Sequence, residues 1–155
     1  MRVHGEDRAE RILLNPIPYE PDFKALRHLG RVRPVDQASF DAFIMQGAQK
    51  AQPKAVCVLA YIQDRGDDQV KIGGAWFRSR VLCINLESVQ RVFAYVVTAG
   101  EEMANWAAGI SDLLQQYWAD VLQQDILKAA RSSLNERLQA RYQPGTLSSM
   151  SPGSL

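Results

Sequence analysis

The sequence predicts an α+β domain in which a twisted, largely antiparallel sheet carries packed helices. Three observations predict it. The middle of the chain holds short apolar runs at 55–62, 70–77, 81–86 and 92–97. Most of the links between them are too short for helical crossovers, so the strands must run largely antiparallel. On either side, apolar residues recur at three- and four-residue spacing, the mark of helices with one buried face. The length of 155 residues and the 46% hydrophobic content suit one domain, 1–155, with one sizeable core.

Residues 10–19 contain Ile12-Leu13-Leu14, and Pro16 and Pro18 confine the segment to an edge strand or extended arm. A short helix begins near Asp22; Phe23, Leu26 and Leu29 share one side, and Gly30 stops it. Residues 36–51 make the next helix, with Phe40, Phe43, Ile44, Ala48 and Ala51 on its stripe, Asp36 as the cap and Pro53 as the stop.

The run AVCVLAYI, 55–62, is apolar on both alternating faces, the pattern of a central strand covered on both sides. DRGDD, 64–68, signals a hairpin turn. Residues 70–77 return as one strand, with Gly73-Gly74 as a bulge or a close backbone approach. VLCINL, 81–86, and VFAYVV, 92–97, complete the sheet.

Thr98-Ala99-Gly100-Glu101 matches a capping box and opens a helix whose buried stripe is Met103, Trp106, Ala107 and Ile110. A longer helix spans about 112–140. Leu114, Tyr117, Trp118 and Val121 share one face, and Ala130, Leu134 and Leu138 lie roughly opposite. Such a helix is either gripped from two sides or broken near 123–125. Residues 143–155 carry two Pro-Gly turns and few apolar anchors, and are expected to be an irregular, exposed tail.

Composition excludes several functions. A formal net charge of +1 argues against nucleic-acid binding. No apolar run approaches about 18 residues, so no membrane span is expected. The charged N-terminus lacks the apolar stretch of a secretory signal, and Cys57 and Cys83 cannot make a disulfide framework. The expected setting is cytoplasmic and soluble.

The usual catalytic signatures are missing. There is no glycine-rich phosphate loop and no G-x-S-x-G elbow. His4 and His28 stand far apart, which gives no metal site, and Cys57 and Cys83 read as buried, inert thiols. Three features remain. Thr98-Ala99-Gly100 lies where a strand feeds a helix, where backbone N–H groups either hold an anion or make an ordinary cap. Arg27, Arg31 and Arg33 form a basic cluster, by default a solvated surface. Arg141-Tyr142-Gln143-Pro144-Gly145 follows the long helix with a type II turn signal, as a binding loop or a frayed end.

Four stretches together resemble the activation domain of cobalamin-dependent methionine synthase, in a stand-alone, single-domain version. Leu26-Arg27-His28-Leu29-Gly30 resembles the family's Leu-Arg-Tyr-Leu-Gly. Residues 92–102, VFAYVVTAGEE, resemble its strand-into-helix segment. Tyr117-Trp118-Ala119-Asp120 resembles the opening of its long helix, and Arg141, Pro144 and Gly145 fall on its Arg-x-x-Pro-Gly-Tyr loop, with Thr146 in place of the Tyr. Relatives continue beyond the position of Leu155, so a truncated piece or a shortened relative is expected.

The resemblance implies an α+β fold around a twisted antiparallel sheet. It also implies binding of S-adenosylmethionine and reductive reactivation of a corrinoid (cobalamin) held by a partner corrinoid protein or corrinoid-dependent methyltransferase. A flavodoxin-type protein is the implied electron donor. Arg141, Pro144 and Gly145 are the implied cofactor-binding residues, together with Thr98, Gly100 and Glu101 from the strand-into-helix segment. No catalytic side chain is implied, because the cofactors carry the chemistry. The chain lacks an Asp-x-His-x-x-Gly loop to supply a lower histidine ligand, so a corrinoid would be carried by the partner and met from its upper face. A non-catalytic adaptor that covers a corrinoid protein without binding S-adenosylmethionine is the alternative.

Overall fold

The computed structural model describes residues 10–151. The elements run β1 (Arg11–Leu14), α1 (Phe23–Leu29), α2 (Gln37–Ala48), β2 (Lys54–Arg65), β3 (Gln69–Ile72), β4 (Ala75–Arg78), α3 (Arg80–Asn85), β5 (Arg91–Thr98), α4 (Glu101–Ala108) and α5 (Leu113–Tyr142). The fold is α+β, with a five-stranded antiparallel sheet and packed helices. Strand β2 is its hub and pairs with β1, β3 and β5. The described residues divide into two compact units, one built from 13–55 and 96–143, the other from 10–12, 56–95 and 144–151.

The helical unit has the larger core. Leu26 of α1, Phe40, Phe43 and Ile44 of α2, Met103 of α4 and Trp118, Ala119, Val121, Leu122 and Ile126 of α5 form one buried cluster. The Trp118 ring meets Phe40 edge-on, with centroids 5.3 Å apart and planes at 88°. That is a favoured aromatic geometry. Helix α2 has no side-chain cap. Asp36, the expected cap, instead accepts from Nε of Arg33 at 2.8 Å.

Helix α5 is unbroken over 30 residues, about 45 Å at 1.5 Å per residue. The expected face of Leu114, Tyr117, Trp118 and Val121 is only half buried, since Leu114 and Tyr117 are exposed. The buried line runs instead through Trp118, Leu122, Ile126, Ala130, Leu134 and Leu138, one residue in four. Four residues advance 400°, so this line drifts steadily around the helix and no break is required.

In the second unit, Val70, Leu82 and Leu86 are buried against Ile62, Ile72, Cys83, Val89 and Val92. Three expectations are corrected here. The run 70–77 is two strands. Gly73 and Gly74, at φ 56° and 87°, are the central residues of a tight turn, and Ile72 faces Ala75 across it. Positive φ at both positions is the type I′ requirement, which Gly-Gly meets at little steric cost. The run 81–86 is helix α3 rather than a strand. The Ser79 hydroxyl accepts from the Leu82 N–H at 3.2 Å and caps it. Leu82 and Leu86, four apart, turn inward while Val81 and Ile84 stay exposed. Strand β2 is central but only partly covered on its second face: Ala55 and Cys57 are buried, Val56 and residues 58–60 are half-buried, and exposure grows toward Arg65.

Arg65 closes this unit's connections, with its terminal nitrogens donating to the carbonyls of Leu86 and Val89, each at 2.6 Å. The described part of the tail, 143–151, is irregular and mostly exposed, and the Tyr95 and Ser149 hydroxyls meet at 2.7 Å. Ser151-Pro152-Gly153-Ser154 lies largely outside the described residues, as does His4. Among the described residues, no helix is long and apolar enough to cross a membrane.

Candidate functional site

Helix α1 ends in a Schellman motif. The Val32 N–H donates to the Arg27 carbonyl at 2.9 Å and the Arg31 N–H to the His28 carbonyl at 3.1 Å. The left-handed residue of such a motif is usually glycine. Here it is Arg31, at φ 49°, while Gly30 is right-handed at φ −77°. Gly30 is small for a packing reason: a Cβ there would lie 3.3 Å from Val32 Cγ2 and 3.6 Å from Phe40 Cε2.

The chain leaving this turn forms one wall of a cleft of about 340 Å³. Residues 30–33 and Asp36 line that wall, and Leu114, Tyr117 and Trp118 of α5 line the other. Trp118 is 5% exposed and makes a fixed floor, whereas Tyr117 is 46% exposed at the rim. The arginines differ in their partners. Arg27 grips Asp41 with two nitrogens, its Nε on Oδ1 at 2.8 Å. Arg33 spends its Nε on Asp36. Arg31 has no ion-pair partner among the described residues. The cleft therefore joins an uncompensated cation to an accessible aromatic ring.

The residues read from the sequence as binding groups lie elsewhere. Thr98 ends β5 and is exposed, Gly100 is buried, and Glu101 opens α4 and is exposed. The capping box does not form. Gly100, not Thr98, is the N-cap, at φ 101°, and no side chain caps the helix. A Cβ on Gly100 would sit 2.9 Å from Gln52 Cβ and 3.0 Å from its carbonyl oxygen, so this junction admits glycine alone. The Gly100 N–H donates to Thr98 Oγ1 at 3.1 Å, which commits that donor internally.

Arg141 is exposed in the last turn of α5, its guanidinium carbon 5.6 Å from the centroid of the Tyr142 ring. The helix closes on Gln143, at φ 45°, whose N–H donates to the Gln139 carbonyl at 3.1 Å. Pro144 is half-buried, and Gly145 takes φ 76°, the sign a type II turn requires. The core cluster that holds Met103 of α4 ends, along α5, at Ile126. Arg141 is fifteen residues further, about 22 Å along the axis.

The cleft itself escaped sequence reasoning, although two of its parts were visible. The basic cluster at Arg27, Arg31 and Arg33 and the Tyr117-Trp118 pair both stand out in the sequence. Their meeting is tertiary, across more than 80 positions, and no local spacing announces it. Among the described residues, no group of His, Cys, Asp and Glu is placed to hold a metal. No family model, no curated protein and no solved structure matches this chain.

Proposed function

We propose that the chain is a corrinoid-reactivation module, which binds S-adenosylmethionine and docks on a corrinoid-bearing methyltransferase or corrinoid protein. One observation carries the reading. Two of the sequence stretches that resemble the methionine synthase activation domain, 26–30 and 117–120, meet in space: Leu26, Trp118 and Ala119 share the core, and Gly30, Tyr117 and Trp118 share the cleft. The α+β class with an antiparallel sheet is also the class the resemblance implies.

In this reading the cofactors would supply the chemistry: one electron from a flavodoxin-type donor would reduce the partner's oxidised cobalt, and S-adenosylmethionine would give up its methyl group and leave as S-adenosylhomocysteine. The chain's work is to orient the methyl donor and exclude water. Arg141 pairs with the ligand's carboxylate, and the backbone at Pro144-Gly145 allows close approach. Thr98, Gly100 and Glu101 shape the strand–helix junction of the same module.

Thr146, where the family's loop carries a Tyr, favours a second reading, an adaptor that covers a corrinoid protein without binding S-adenosylmethionine. Thermal unfolding separates the two. S-adenosylmethionine at about a hundred times its dissociation constant adds roughly 2.7 kcal/mol, or about 5–10 °C for a chain of this size. No shift at any ligand concentration leaves the adaptor.

A further inference from the structure

We infer that the cleft between the α1–α2 connection and the start of α5 binds a small molecule with a flat aromatic body and an anionic group, Arg31 taking the anion and Tyr117 the ring. This inference shares its cleft with the corrinoid reading but does not rest on binding of S-adenosylmethionine.

The volume, about 340 Å³, lies within the range of small-molecule sites, which are mostly apolar with a few placed polar groups. The cleft has that composition: Val32, Leu114 and Trp118 supply apolar surface, and charge enters only from Arg31, Arg33 and Asp36. Asp36 is neutralised by Arg33 at 2.8 Å, through Nε, which leaves the surplus positive charge on Arg31. Trp118 is held by Phe40 at 5.3 Å and by Phe43 at 5.7 Å, so the floor cannot move aside. Tyr117, its neighbour on the helix, has no such packing and stays 46% exposed. An aromatic ring and a guanidinium lining one cleft suit a ligand whose ring stacks while its substituent anion pairs.

The backbone adds an independent line. Arg31 occupies the left-handed position of the Schellman motif, where glycine is the residue of least cost. A cation at a strained backbone position fits a stability cost carried for binding. It also makes a discriminating variant available. Arg31→Gly removes the cation while relieving the backbone, so it folds at least as stably as the parent.

The test is calorimetric titration of the 155-residue chain with adenosine 5′-monophosphate and indole-3-acetate, each against its neutral counterpart, adenosine and indole. The two anions distinguish a nucleotide phosphate from an aromatic carboxylate. At least one should bind with a dissociation constant below about 1 mM and at least tenfold more tightly than its neutral counterpart, in keeping with a charge-assisted hydrogen bond. Arg31→Gly should raise the melting temperature and abolish the preference for the anion. Tyr117→Ala should weaken anion and neutral compound alike, by about fivefold or more. Absence of binding by both anions at 10 mM overturns the inference, as does an anion preference that survives in Arg31→Gly.

Discussion

The Tyr19 hydroxyl donates a 2.7 Å hydrogen bond to Oδ2 of Asp125, 106 positions away in the sequence. Tyr19 belongs to the proline-punctuated arm and packs on the core, and Asp125 lies midway along α5. The bond pins an irregular segment to the longest helix. Because the acceptor is a carboxylate, Tyr19→Phe should cost about 1.5–3 kcal/mol in a denaturant titration at pH 7.

The same pair has a pH signature. Burial first, then the hydrogen bond to Asp125 and its charge, push the Tyr19 phenol well above its ordinary value of 10.0. The folded chain therefore holds this proton more tightly than the unfolded one. The resulting stability is complete below about pH 10 and is lost as pH rises toward the folded value. Unfolding free energies measured from pH 9 upward should fall less steeply in Tyr19→Phe than in the parent. Parallel curves would contradict the assignment.

Gly47 sits where α2 meets both α4 and α5. A Cβ there would come within 2.6 Å of Leu122 Cδ2 and of Trp106 Cη2. Alanine is the better helix former by about 1 kcal/mol, yet the overpacking should win. Gly47→Ala is expected to lower stability by about 1–3 kcal/mol in chemical denaturation. A neutral or stabilising result would mean that the three helices pack less closely than described.

Cys57 is buried on β2 and Cys83 is partly accessible on α3. Burial pushes the Cys57 thiol up, away from the reactive thiolate. An alkylating reagent at neutral pH should label Cys83 first and reach Cys57 only at the rate of unfolding. Mass spectrometry of partially labelled protein reads the order directly, and equal rates would contradict it.

The strands at 55–62 and 92–97, the helices at 36–51 and 101–110 and the turn at 64–68 were legible because each depends on local pattern. Residues 81–86 misled because V-L-C-I-N-L is apolar and partly β-branched, while a helix of six residues is too short to display its own period. The deciding signal was Ser79, a cap that lay outside the apolar run. At Thr98 the local motif lost to the ladder, since Thr98 still belongs to β5 and only glycine at position 100 fits against Gln52. The αL conformation of Arg31 and the meeting of 30–36 with 114–118 are tertiary facts. Only Arg31 itself, in its basic cluster, and the Tyr117-Trp118 pair were visible beforehand.

Binding of S-adenosylmethionine is the central claim, and isothermal calorimetry tests it most directly. The parent chain should give a single-site heat, and Arg141→Ala should weaken binding by about 10- to 150-fold, the worth of a hydrogen bond between charged groups. No heat at millimolar S-adenosylmethionine would contradict the account.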